Sequence, residues 1–139
     1  MLDKVFIDGL SFAAPLLVMA IGAIYSEKSG VTNLAIEGFQ GFGAFVGALV
    51  AVLLMPIMGD GSQAVVYIAM LAAFVGGAIY ACIHALLCVK FRANQVISGV
   101  VVNILAVALT TFLTTATNKV LTDGQSSNKF ILSICDRFD

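Results

Sequence analysis

Four stretches of this chain, residues 9–26, 38–59, 61–89 and 93–118, contain no Asp, Glu, Lys or Arg. Each approaches or exceeds the roughly 20 residues that a helix needs to cross the hydrocarbon core of a bilayer. In water, four such helices would have to be buried on every side. With 60% hydrophobic residues, the chain has almost no polar surface to cover them. In lipid the same runs need only close their own backbone hydrogen bonds, as helices do. The expected fold is therefore all-α: a polytopic integral membrane protein of about four transmembrane helices. The spans are placed at about 10–25, 34–58, 64–89 and 95–117, and residues 118–139 are read as an exposed loop or truncated tail.

Composition excludes several functions. A net charge of −1 and the lack of any basic run argue against nucleic-acid binding. Of the cysteines, Cys82 and Cys88 stand six apart in one span, on different faces, and Cys135 lies in the tail. None belongs to a metal-ligand pattern, and Cys82 and Cys88 read as small apolar residues of a membrane span. No nucleophile–base pair or metal-ligand set is visible, so no catalytic residue, metal or cofactor is expected. The first 25 residues combine Lys4 with an apolar run, but Asp3 and Asp8 oppose the basic start of a signal peptide. They read as a retained membrane helix, with Pro15 in its first turns.

Residues 27–38, EKSGVTNLAIEG, form a polar linker between two spans and end in a carboxylate at the mouth of the second. Gly30 is a natural break, and Thr32 or Asn33 can cap the helix that follows. Glu37 then falls in the first helical turn, where the dipole favours an anion. It is equally placed to line a path, or to join the two polar linkers by meeting Arg92 or Asn94. Asn103 sits well inside the fourth span, where an amide needs a partner from a facing helix, water or a solute. His84 is expected to bond a neighbouring helix, and the threonines near residues 110–117 to bond back to helix carbonyls.

Small residues mark the contact faces. Gly43 and Gly47 form a GxxxG pair in span two, and Ala69, Ala73, Gly77, Ala81 and Ala85 recur every four residues in span three. Such stripes let helix backbones approach closely in lipid. Lys28 on one linker, and Lys90 with Arg92 on another, fall on the same side if the spans alternate. That side is expected to be cytoplasmic.

Two blocks carry a resemblance. Residues 26–38, SEKSGVTNLAIEG, followed by Gly43-Ala44-Phe45, are similar to a block of bacterial ABC-transporter permeases. Residues 91–99, FRANQVISG, with Asn103 four positions on, resemble a second block of the same proteins. The subgroup is that of the simple-sugar and nucleoside importers, related to ribose permeases and nearest in pattern to nucleoside permeases. The resemblance covers about residues 10–118 and implies a permease subunit in the plasma (inner) membrane. It also implies a second permease subunit, the same or different, cytoplasmic ATP-binding subunits and an extracellular substrate-binding lipoprotein. No G-x-x-x-x-G-K-[ST] loop is present, so ATP hydrolysis is assigned to a partner. Permeases of this type are roughly twice as long, and the chain is read as the N-terminal half of one. The residues proposed to line the translocation path are Asn33, Glu37, Gln40, Asn94, Gln95 and Asn103, an amide-rich set suited to a neutral polar solute. The alternatives are a small membrane subunit that transports nothing, and a fragment of an ion-coupled secondary transporter with Glu37 as its coupling acid.

Overall fold

The computed structural model describes residues 2–59 and 62–121, which form four long helices. They are α1 (Leu2–Lys28), α2 (Ile36–Met58), α3 (Gln63–Ala85) and α4 (Gln95–Leu121). At 1.5 Å per residue even the shorter ones reach about 35 Å, more than the roughly 30 Å of a hydrocarbon core. All four are long and apolar enough to cross a membrane. α3 continues into a π-helical turn, Leu86–Lys90.

The helix ends follow from local chemistry. α1 closes with Gly30 in the left-handed region, φ 83°. The Val31 amide donates to the Ser26 carbonyl and the Gly30 amide to that of Glu27, a Schellman ending that only glycine adopts without strain. α4 opens with Asn94, whose Oδ1 accepts from the amides of Val96 and Ile97 at 3.0 and 3.3 Å. This is an ordinary side-chain N-cap.

α2 is the centre of the bundle, with α3 along one side and the first half of α4 along another. Its contact with α3 is made of small residues. A Cβ added at Gly43 would lie 2.7 Å from the Ala73 carbonyl oxygen, and one at Gly47 would lie 2.9 Å from the Ala73 Cβ and 3.0 Å from the Ala69 oxygen. Gly77 faces the Phe39 carbonyl in the same way. Of the remaining stripe, Ala81 is half-buried, as Ala69, Ala73 and Gly77 are, and Ala85 is exposed. The buried core is small: Ala35, Tyr80, Val102 and Ala106, flanked by Phe39, Phe42, Leu87 and Leu109.

α1 barely touches its neighbours, and its large side chains, such as Phe6 and Phe12, are exposed. Lipid is as apolar as a leucine side chain, so such a face has no need of a protein cover.

Three expectations need correction. α1 begins at Leu2 rather than near residue 10, which places Pro15 mid-helix and not in the first turns. α4 runs to Leu121, so residues 118–121 are helical and Asn118 is buried rather than part of an exposed tail. The rest of that tail, with Cys135, lies outside the described residues. Finally, neither Thr32 nor Asn33 caps α2. The helix starts at Ile36 with Ala35 at the N-cap position and no side-chain cap of its own.

Candidate functional site

The missing cap is supplied from α4. Asn103 Oδ1 accepts from the Gly38 amide at 2.8 Å, and Asn103 Nδ2 donates to the Leu34 carbonyl at 2.7 Å. One amide side chain thus satisfies an unpaired donor of the first turn of α2 and an unpaired acceptor of the loop before it. The approach requires glycine. A Cβ at Gly38 would lie 2.7 Å from Asn103 Oδ1 and 3.1 Å from its Cα. One turn earlier, Gly99 leaves room for Leu34 and Ala35, and a further turn back Gln95 Oε1 accepts from the Thr32 amide at 2.8 Å. Gln95, Gly99 and Asn103 stand four residues apart and so share one face of α4. Asn33 Oδ1 accepts from the Ala35 amide at 3.0 Å, a local turn that keeps residues 33–35 out of the helix.

A second polar seam joins α3 to α4. Tyr80 donates to the Val102 carbonyl at 2.9 Å, and its ring stacks on Phe42 at 4.6 Å. His84 Nδ1 lies 3.0 Å from Ser98 Oγ, with both residues buried and Cys88 Sγ at 3.6 Å from His84 Nε2. Sequence reasoning placed His84 against a neighbouring helix, and Tyr80 four residues before it in the same span, but did not find Ser98 as its partner. Ser98 looks like an ordinary residue of an apolar run until the helices are packed. Thr110, Thr111, Thr114 and Thr115 all donate to carbonyls of their own helix, the structural role open to them in the sequence.

The six path candidates therefore separate. Asn94, Gln95 and Asn103 spend an oxygen on backbone amides within the chain, and Asn33 on its own loop. Gln40 and Glu37 are exposed and make no hydrogen bond or ion pair among the described residues. Glu37 does not meet Arg92 or Asn94, one of the roles open to it in the sequence: it stays exposed in the first turn of α2, while Asn94 Oδ1 caps α4.

Between α1 and the α2–α3 pair runs an open groove of about 780 Å³. Pro15 and Met19 form one wall, Gly43, Phe74 and Gly77 the floor, and Asn33 and Gln40 bring the amides. No group of three or more His, Cys, Asp or Glu side chains able to hold a metal occurs among the described residues.

The hydrogen bond from Thr32 to Gln95 brings the linkers that carry Lys28 and Lys90-Arg92 to one end of the bundle. A mainly apolar groove with a few fixed polar groups is the usual form of a small-molecule site.

Residues 5–136 match the family model described as branched-chain amino acid transport system / permease component. The chain is 39% identical over 104 residues to the guanosine ABC transporter permease protein NupQ of Bacillus subtilis, covering 75% of this chain and 32% of that protein. It is 31% identical over 104 residues to the nucleoside ABC transporter permease protein NupC of Lactococcus lactis, with the same coverage, 75% and 32%. A putative glucose ABC transporter permease protein, TsgC13 of Haloferax volcanii, is 35% identical over 100 residues, 72% of this chain and 28% of its own length. The chain thus spans about a third of the length of these curated relatives. No solved structure matches. Four membrane-crossing helices and a match along almost the whole sequence agree: this is a multi-pass membrane protein that belongs to the branched-chain amino acid transport system / permease component family.

Proposed function

We propose that this chain is part of a permease subunit of an ATP-driven importer, contributing to the translocation path of a nucleoside. The observation that carries the reading is the likeness to permeases named for guanosine and for nucleosides. A second permease subunit, ATP-binding subunits on the cytoplasmic side and an extracellular binding lipoprotein complete the assembly. ATP is hydrolysed by the partner, and this chain contributes binding and movement. Gln40 and Asn33 are the proposed solute contacts, because both line the groove. An apolar groove with two amides suits a flat base with polar edges. Glu37, exposed in the same first turn, is the proposed partner of a ribose hydroxyl.

The glucose-permease relative supports a second substrate class, a simple sugar. The test is uptake by the full-length permease with its partner subunits, using labelled guanosine and labelled glucose. ATP-dependent guanosine uptake supports the proposal, and glucose uptake alone moves it to the sugar class. Uptake that follows a proton or sodium gradient would replace it with a secondary transporter. No uptake with a stable assembly would make the chain a non-transporting membrane subunit.

A further inference from the structure

The segment at residues 31–35 is non-helical, yet it lies beside the first turns of α4. Asn103 stands eight residues after Gln95, so the contact reaches about 12 Å along α4. Irregular backbone beside a membrane-crossing helix persists where protein supplies its hydrogen bonds. Here the supply is regular: Gln95 to Thr32, Gly99 as space for Leu34 and Ala35, and Asn103 to Leu34 and Gly38.

We propose that Gln95, Gly99 and Asn103 form one positioning device, a helix face that holds residues 32–35 unwound and the first turn of α2 against α4, and so fixes where Asn33, Glu37 and Gln40 stand. In this role Gln95 and Asn103 touch backbone and not solute. Both ends of the Asn103 amide are already engaged, and the only group that Gln95 offers Thr32 is an acceptor. The functional part of the inference rests on the permease reading above, whereas the structural part does not.

The test uses the full-length permease with its partner subunits reconstituted in lipid vesicles. Hydrogen exchange is followed in peptides covering residues 30–38, and guanosine uptake is measured in parallel. Losing a net hydrogen bond predicts about tenfold faster exchange at the released amide. Asn103→Leu should release Gly38, and Gln95→Leu should release Thr32. Gln95→Glu keeps the acceptor and should leave Thr32 protected while Gln95→Leu, of similar volume, releases it, a contrast that a purely space-filling role would not produce. Both leucine variants should raise the KM for guanosine together, with exchange rising alongside.

Unchanged exchange in both leucine variants would overturn the proposal, as would Gln95→Glu behaving like Gln95→Leu. A raised KM for Asn103→Leu with unchanged exchange would instead make Asn103 a solute contact. If Asn103→Leu fails to accumulate, the two Gln95 variants still decide. Absence of uptake in the unsubstituted protein would count against the permease reading alone, since the exchange measurement needs no transport.

Discussion

Gly43→Ala, set against the same change at Gly41, separates helix approach from helix propensity. A Cβ on Gly43 meets the Ala73 carbonyl oxygen at 2.7 Å, and that oxygen belongs to backbone that cannot swing aside. Ordinary contact begins near 3.4 Å, so α3 must retreat by about 0.7 Å from α2. A gap of that order forfeits about a quarter to a half of the dispersion energy at each affected atom pair. Gly47, Ala69, Ala73 and Gly77 share the contact, so the loss spreads along it. Overpacking of this kind costs about 1–3 kcal/mol, against about 0.5–1 kcal/mol gained when alanine replaces glycine in a helix. Gly43→Ala should therefore lose up to about 2.5 kcal/mol net, with a midpoint of about 1 kcal/mol. A Cβ on Gly41 meets nothing within 4 Å, so Gly41→Ala should be neutral or slightly stabilising. The assay is unfolding of the full-length permease in micelles titrated with a harsher detergent, followed by labelling of the buried Cys88. Equal midpoints for the two variants would refute the claim that backbone contact at Gly43 holds α2 to α3.

Tyr80→Phe removes one hydrogen bond, while the Val102 carbonyl keeps its helical partner, so the loss should be about 1 kcal/mol. Tyr80→Ala also removes the ring stacked on Phe42 and should lose about 3–5 kcal/mol in the same titration. Sidedness is checked with a membrane-impermeant maleimide. Ser29→Cys should react only from the cytoplasm and Ser62→Cys only from outside, because Lys28, Lys90 and Arg92 share the Ser29 end. Labelling in the reverse order would overturn that orientation.

Much of the architecture was legible because lipid is a simple solvent. Charge-free runs of sufficient length have one stable local structure there, so the four helices could be read from charge spacing alone. The small-residue stripe was legible for a similar reason. Ala69, Ala73 and Gly77 recur at the helical period, and close approach needs little more than the absence of side chain. Its end was not legible, since the pattern continues to Ala85, which is exposed.

The polar residues divide differently. The sequence shows that Asn33, Glu37, Gln40, Asn94, Gln95 and Asn103 are unusual where they stand, because a polar group beside or within a membrane span needs a partner. It does not show which partner, since Asn103 to Gly38 and Gln95 to Thr32 are contacts between segments more than sixty residues apart. Nor could it assign the cap of α2, because local rules search only the residues before a helix and the group that binds Gly38 comes from another helix. Residue type and spacing determined the membrane fold and family. Packing decided how Gln95 and Asn103 are occupied, because their backbone partners come from a facing segment, whereas Asn33 and Asn94 bond amides two or three residues further along the chain.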